Sequence, residues 1–436
     1  MKIAQITPGS GGGFYCENCL RDLALVKALR RCGADIIMIP MYLPLPVEEN
    51  LTDGAAPIFF GGVNVFLQQK MTVFRKTPRW IDGIFDRPGF LRWIGSRAGM
   101  TRASDLGEMT ISMLSGEQGR QKKELSRLIE WLAEPANRPD MVCLSNVLLA
   151  GLVRRIKDVL GCPVVSLLQD EDGFVDGLGG AYSKQAWRLL AQRAGDIDAF
   201  VVVSRYYADV MQARLALTPE KVHIIRPGIS LNDYRSLPER KSGLPTIGFL
   251  SRMCFAKGLD ILIDAFIKIK RNGNLPDVKL RIAGGQTRAD TGFIRQLHKK
   301  LESVRLEGDV DFATAFDSIH RAEFLSTLSV LCVPERYPAA YAMYALEALA
   351  AAGAVVAPAS GVFPELSEIT GGVILYEPND ASTLARTIEH LLLNADQAAE
   401  LGRKGRMAVF ERFDIKRNAA ELLRVYETVL RDFSGD

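Results

Sequence analysis

Residues 330–366, VLCVPERYPAAYAMYALEALAAAGAVVAPASGVFPEL, constrain the fold more than any other stretch. An apolar strand over 330–333 runs into Pro334. A Leu/Ala-rich text then predicts a helix from about 341 to 352, Gly353 stops it, and 354–357 returns as a strand before a second loop. Strand–helix–strand units have parallel strands, which puts both loops at the same edge of a sheet. Ligands of open α/β sheets bind at that edge. Glu347 lies on this helix. A carboxylate there can accept two hydrogen bonds from a vicinal diol such as a ribose, although an isolated helix glutamate is usually just solvated.

The same alternation fills most of the 436 residues. Strands are predicted at 2–7, 34–40, 141–145, 163–168, 199–204 and 222–226, then at 246–250, 278–283, 330–333 and 354–357. Helices are predicted at about 17–31, 147–159 and 259–270, and starting near 205, 381, 396 and 415. Near-continuous apolar strands alternating with helices mark doubly wound α/β sheets. The length exceeds what one core ordinarily serves, so two domains are expected, 1–228 and 229–414. The aperiodic 230–244 forms the connection. Residues 415–436 form a helix long enough to cross back to the first domain.

Three loops carry candidate chemistry. Gly11, Gly12 and Gly13 follow the first strand, where backbone N–H groups can approach an anion at a helix N-terminus. They lack the G-x-G-x-x-G spacing of dinucleotide binders, and a flexible turn would read the same. After 246–250 comes Ser251-Arg252-Met253-Cys254-Phe255-Ala256-Lys257-Gly258. Two cations at a strand end and helix start can neutralise a diphosphate and stabilise it as a leaving group. Gly284, ending the next strand, suits close approach to a nucleotide or a plain turn. The acidic loop Gln169-Asp170-Glu171-Asp172-Gly173 reads equally as a site or as a solvated surface.

Taken together, these blocks resemble the retaining nucleotide-sugar glycosyltransferases of family four, which have the GT-B fold. The likeness is strongest over 246–378 and 2–40 and weak through 60–130. The text around L-E-A-L-A-A-x-G and G-V-F-P-E resembles that family's nucleotide-sugar signature, and S-R-x-x-x-x-K-G resembles its G-R-x-x-x-x-K-G. The resemblance implies two Rossmann-like domains facing each other across a cleft. It also implies hexosyltransferase-like transfer from a nucleoside-diphosphate sugar, with a UDP-sugar favoured, to an unidentified glycan, lipid or small-molecule acceptor. Arg252 and Lys257 would grip the diphosphate, Glu347 the ribose, and the Gly11–Gly13 loop would supply backbone donors. Gly284, Phe363 and Glu365 would line the donor site. Gln169 and Asp170 (or Asp172) would face the reacting sugar, with Asp170 carried as catalytic. No metal or other cofactor is implied. The family's first signature glutamate falls on Ala339, which removes the expected donor-sugar contact. Glu335, twelve residues before Glu347, does not match its spacing. A nucleotide-sugar-binding pseudoenzyme or regulatory subunit is therefore the alternative. An epimerase or phosphorylase on the same fold fits the chain order but fits the Arg252/Lys257 spacing less well.

Composition excludes other classes. A net charge of +3 does not indicate a nucleic-acid partner. The seven cysteines (16, 19, 32, 143, 162, 254, 332) are scattered and mostly set in apolar runs, as small core residues of a reducing compartment. Cys16 and Cys19 form a C-x-x-C without the second ligand pair that zinc needs. None of the four histidines (223, 298, 320, 390) sits in a catalytic motif. With no apolar leader and no run approaching the roughly 20 apolar residues of a membrane span, a cytoplasmic protein is expected. Residues 70–102 carry eight Lys/Arg and two Asp, interleaved with Phe74, Trp80, Phe85, Phe90 and Trp93. That text suits peripheral contact with an anionic membrane face, an acceptor-binding insertion, or ordinary helical core.

Overall fold

The computed structural model describes residues 1–8, 17–41, 59, 103–237, 243–313 and 318–435. They divide into two compact units, Met1–Arg226 with Asn418–Asp436, and Pro227–Arg417. Each unit is built on a parallel sheet with six strands among the described residues.

In the first unit the strands are β1 (Lys2–Thr7), β2 (Asp35–Pro40), β3 (Met141–Leu144), β4 (Val164–Leu168), β5 (Ala199–Val202) and β6 (Val222–Ile224). Their order is β2-β1-β3-β4-β5-β6. β3, β4 and β5 are buried at every position, as expected of strands covered on both faces. The helix Lys122–Ala133 buries Leu125, Leu128, Ile129 and Leu132, a helical stripe facing the core. Residues 70–102 lie outside the described residues.

The second unit holds β7 (Thr246–Leu250), β8 (Lys279–Ala283), β9 (Val310–Ala313), β10 (Val330–Cys332), β11 (Ala354–Pro358) and β12 (Val373–Tyr376). Their order is β12-β11-β10-β7-β8-β9. The 230–244 connection contains a short helix, Asn232–Arg235. It belongs to this unit's core through Leu231 and Tyr234. The entering and leaving chains pair side by side, Ile229 N donating to Phe413 O (2.8 Å) and Ile415 N to Ile229 O (3.0 Å).

The last helix, Ile415–Ser434, passes from the second unit into the first. There Asn418 Nδ2 donates to Arg226 O (2.7 Å), and the fully buried Tyr426 hydroxyl donates to Cys143 Sγ (3.1 Å). Among the described residues no helix is long and apolar enough to cross a membrane.

Both sheets are wound outward from a central strand, so each has a crevice where the winding reverses. It lies between β1 and β3 in the first unit and between β7 and β10 in the second. Ligands in such sheets bind at this reversal, beyond the carboxyl ends of the strands.

Candidate functional site

In the second unit the loop leaving β7 is tied to the loop leaving β8. Ser251 N donates to Ala283 O (3.2 Å) and Met253 N to Gly285 O (2.9 Å). Gly284 has φ +138°, and a Cβ there would stand 1.9 Å from the Ser251 carbonyl oxygen, so only glycine permits this approach. Gly258 has φ +69°, and its Cβ would stand 1.9 Å from the Pro334 carbonyl oxygen. The absence of a side chain at Gly258 lets the β7 loop lie directly on the loop leaving β10, across the reversal crevice.

Lys257 and Glu335 span that crevice. Lys257 Nζ donates to Glu335 Oε2 (2.8 Å), and the Tyr344 hydroxyl donates to Glu335 Oε1 (2.5 Å). Arg336, the next residue, forms a two-pronged pair with Asp260 (2.8 and 2.7 Å) and lies 3.7 Å from the centroid of the Phe255 ring.

Arg252 is held on the β8 side. Its Nε and Nη2 donate to the two carboxylate oxygens of Asp290 (both 3.1 Å), and Nη2 also reaches Thr287 Oγ1 (3.1 Å). Burial pushes the Asp290 carboxyl up. Hydrogen bonds from Thr287 and Arg252 outweigh it and hold the group below the usual carboxylate range.

Glu347 lies on the helix Met343–Ala350 and is nearly buried. Arg321, on the helix Ser318–Ser326, donates through Nη1 to Glu347 Oε1 (2.8 Å). Burial raises the Glu347 carboxyl above its ordinary value, and Arg321 only partly pulls it back. Ala339 is buried in the core, and its carbonyl accepts from Val362 N (2.9 Å), tying the β10 and β11 loops together.

Two expectations about the β11 loop change. A helix begins at Phe363, with Pro364 in its first turn where proline's missing N–H costs nothing. The Phe363 side chain is 1% exposed and packed in the core. Glu365 is buried in that helix's first turn.

The first unit brings Gln169, Thr7 and Ser145 to the other reversal. Gln169 Nε2 donates to the Ser145 carbonyl. Among the described residues the fully buried Thr7 Oγ1 and Ser145 Oγ, and Gln169 Oε1, have no hydrogen-bond partner. The acidic loop is the start of a short helix, Glu171–Gly177. Asp170 is exposed with φ +88°, a left-handed conformation uncommon outside glycine.

The buried acid is the neighbouring Glu171. It accepts from Gln169 N (2.7 Å) and the Tyr207 hydroxyl (2.9 Å), while that hydroxyl accepts from Glu171 N (2.7 Å). Burial nonetheless pushes the Glu171 carboxyl up to about 7. Gly11, Gly12, Gly13 and Cys16 lie outside the described residues. Among the described residues no three His, Cys, Asp or Glu are grouped as a metal site requires.

Sequence reasoning missed Asp290, Arg321 and Tyr344, and it set Glu335 aside. Glu335's signal was its place directly after β10. Asp290 is readable as the end of a T-x-x-D capping box begun at Thr287, Arg321 carries no motif, and both meet their partners only through the fold.

Residues 233–408 match the family model described as glycosyl transferases group 1, and residues 111–233 match glycosyltransferase family 4. The chain is 29% identical to the alpha-maltose-1-phosphate synthase of Mycolicibacterium smegmatis over 58% of its own length and 68% of that protein. It is also 29% identical to the phosphatidyl-myo-inositol mannosyltransferase of Mycobacterium tuberculosis, over 46% of its length and 53% of that protein. In structure it resembles Anabaena HepE solved with UDP, with a TM-score of 0.69, 16% identity and coverage of 98% of this chain and 100% of that one. The two doubly wound units therefore form a GT-B fold. The chain is an enzyme of the glycosyltransferase type, with domains like those of group 1 and family 4.

Proposed function

We propose that this enzyme transfers a glycosyl group from a nucleoside-diphosphate sugar, with a UDP-sugar favoured, to an acceptor hydroxyl with retention at the anomeric carbon. The donor's anomeric C–O bond breaks with the electron pair leaving on the diphosphate. The acceptor oxygen bonds to that carbon and gives up its proton to the departing diphosphate. Arg252 and Lys257 stabilise the departing charge, a contact worth most where charge develops. Glu347 accepts the ribose hydroxyls, and Gly284, which lets the β7 and β8 loops close on each other, serves the nucleotide site by shaping those loops. Glu365 is assigned to the donor, and Gln169 and Asp170 to the reacting sugar. The 70–102 segment brings the enzyme to an anionic membrane face in the cytoplasm.

The observation that carries this reading is the meeting of the Lys257 loop with the β10 loop across the reversal crevice, with Arg252 one strand away. Structural relatives solved with UDP and with UDP-glucose support the choice of donor.

Ala339 favours a second reading, a donor-binding protein that has lost turnover. Incubation with a panel of UDP-, GDP- and ADP-sugars, with and without cell-extract acceptors, separates the two. Release of nucleoside diphosphate supports transfer, and product anomer by NMR tests retention. Binding without release supports the second reading, and neither binding nor release sinks both. Under the second reading Ala339→Glu raises donor hydrolysis if the sugar contact is all that is missing, and no gain places the defect elsewhere.

A further inference from the structure

Glu335 is 5% exposed, and its two oxygens answer different elements: Tyr344, on the helix that bears Glu347, and Lys257, on the β7 loop. Its backbone is held as well. Asn379 Nδ2 donates to the Glu335 carbonyl (2.8 Å), and Asn379 is itself fixed by the Tyr376 hydroxyl (2.7 Å). On the far side Arg336 N donates to Ala256 O (3.0 Å), and the Arg336–Asp260 pair clamps the same loop. Glu335 is thus the fixed member of the ion pair and Lys257 the adjustable one. A lysine has four rotatable bonds and a pointlike charge, so its ammonium settles where its partners hold it, and Glu335 is a partner anchored through both oxygens. Buried ion pairs contribute little net stability, because desolvation offsets the attraction.

We infer that Glu335 is a positioning residue that holds the Lys257 ammonium where the donor diphosphate must meet it. This rests on the reading of Lys257 as a diphosphate ligand. An ammonium carries three N–H donors, so carboxylate and phosphate can share it. The geometry also explains how a carboxylate outside the family's spacing belongs to the site. It acts through the lysine, and the sugar contact at position 339 remains missing.

The test is a double-mutant cycle on the full-length protein, reading donor turnover and UDP affinity. Glu335→Gln keeps the size of the side chain and removes its charge. kcat should fall about 10- to 100-fold, as for an Ångström-scale misplacement of a catalytic group. Donor KM and UDP affinity should hold or improve, because a negative charge near the diphosphate is gone. Glu335→Asp should recover part of the kcat. In a Lys257→Ala background Glu335→Gln should cost nothing further, since the two act as one unit. Tyr344→Phe, which frees only the other oxygen, should show a smaller fall in kcat without a rise in KM, and it serves if Glu335→Gln does not fold.

Wild-type kcat in Glu335→Gln, a loss carried by KM alone, or losses that add to those of Lys257→Ala would each overturn the inference while leaving the donor reading intact. A wild-type protein that neither binds UDP nor releases nucleoside diphosphate overturns that reading and this inference with it.

Discussion

Replacing Arg321 with methionine breaks the contact on which Glu347 depends. The guanidinium and carboxylate are 2.8 Å apart, with side chains only 15% and 12% exposed. Removing one member of such a pair strands the other charge, which costs about 3 kcal/mol, toward the low end for fully buried pairs. For a unit of this size each kcal/mol moves the midpoint by about 2–4 °C, so the second unit should melt about 6–12 °C lower. The sign of the pH dependence follows from burial, which raises the Glu347 carboxyl while Arg321 opposes the rise. Without Arg321 the folded variant takes up a proton at a pH where the unfolded chain does not. Stability is therefore lost as pH rises, and the deficit is larger at pH 8 than at pH 5. Arg321→Met with Glu347→Gln has no stranded charge and should recover more than half of the loss. All four tryptophans (80, 93, 131, 187) precede residue 227, so calorimetry should report the shift while tryptophan fluorescence stays largely unmoved. A calorimetric midpoint within about 2 °C of wild type at pH 8 refutes the reasoning, as does a double variant less stable than Arg321→Met.

Gly258→Ala must fit a Cβ at 1.9 Å from Pro334 O in a left-handed conformation. It should cost about 2–3 kcal/mol by denaturant unfolding and raise donor KM, because the loop bearing Lys257 must lift. Glu171, pushed by burial to about 7 from its ordinary value of 4.5, makes the folded first unit the stronger proton binder between those values. Stability should fall by roughly 3 kcal/mol as pH rises through that window, and Glu171→Gln should flatten the slope in a pH series of tryptophan-monitored melts. Arg252→Ala should lower kcat/KM for the donor about 10²- to 10³-fold and lower the midpoint less than Arg321→Met does, since Thr287 N and Oγ1 still donate to the buried Asp290 carboxylate it leaves behind.

The parts of the fold that were legible are those whose information is local. β1 and β7 begin and end where apolar runs meet Gly, Pro or a charge, and the helix Ile415–Ser434 starts where its pattern does. The helix predicted from about 341 starts at Met343 instead. The helix start at Phe363 has a sequence signal in Pro364, a first-turn proline, but the glycine and short G-V-F-P-E text around it also fit the loop expected there. Glu171 was hidden for a different reason. In an acidic run nothing in the sequence says which carboxylate turns inward, and here that is decided by Tyr207, thirty-six residues away.

The site shows the same division more sharply. Arg252, Lys257 and Glu347 were legible as residues, and what each touches was not. Their partners lie 38, 78 and 26 residues away along the chain and are set by which loops the sheet order brings together. Among the described residues each has an opposite charge within ion-pair distance: Arg252 has Asp290, Lys257 has Glu335, and Glu347 has Arg321. Such a site offers no large excess of positive charge to draw an anion from a distance, and the chain as a whole carries only +3. A diphosphate arriving there must be held by short directional bonds from cations already fixed in place. Its affinity should then depend on salt less than a patch of unmatched lysines would, because paired charges project little field beyond a Debye length of about 10 Å. Preorganisation of this kind favours the charge that develops on the leaving diphosphate over long-range capture of the donor. That is why the carboxylate partners, and not only the cations, should set the rate.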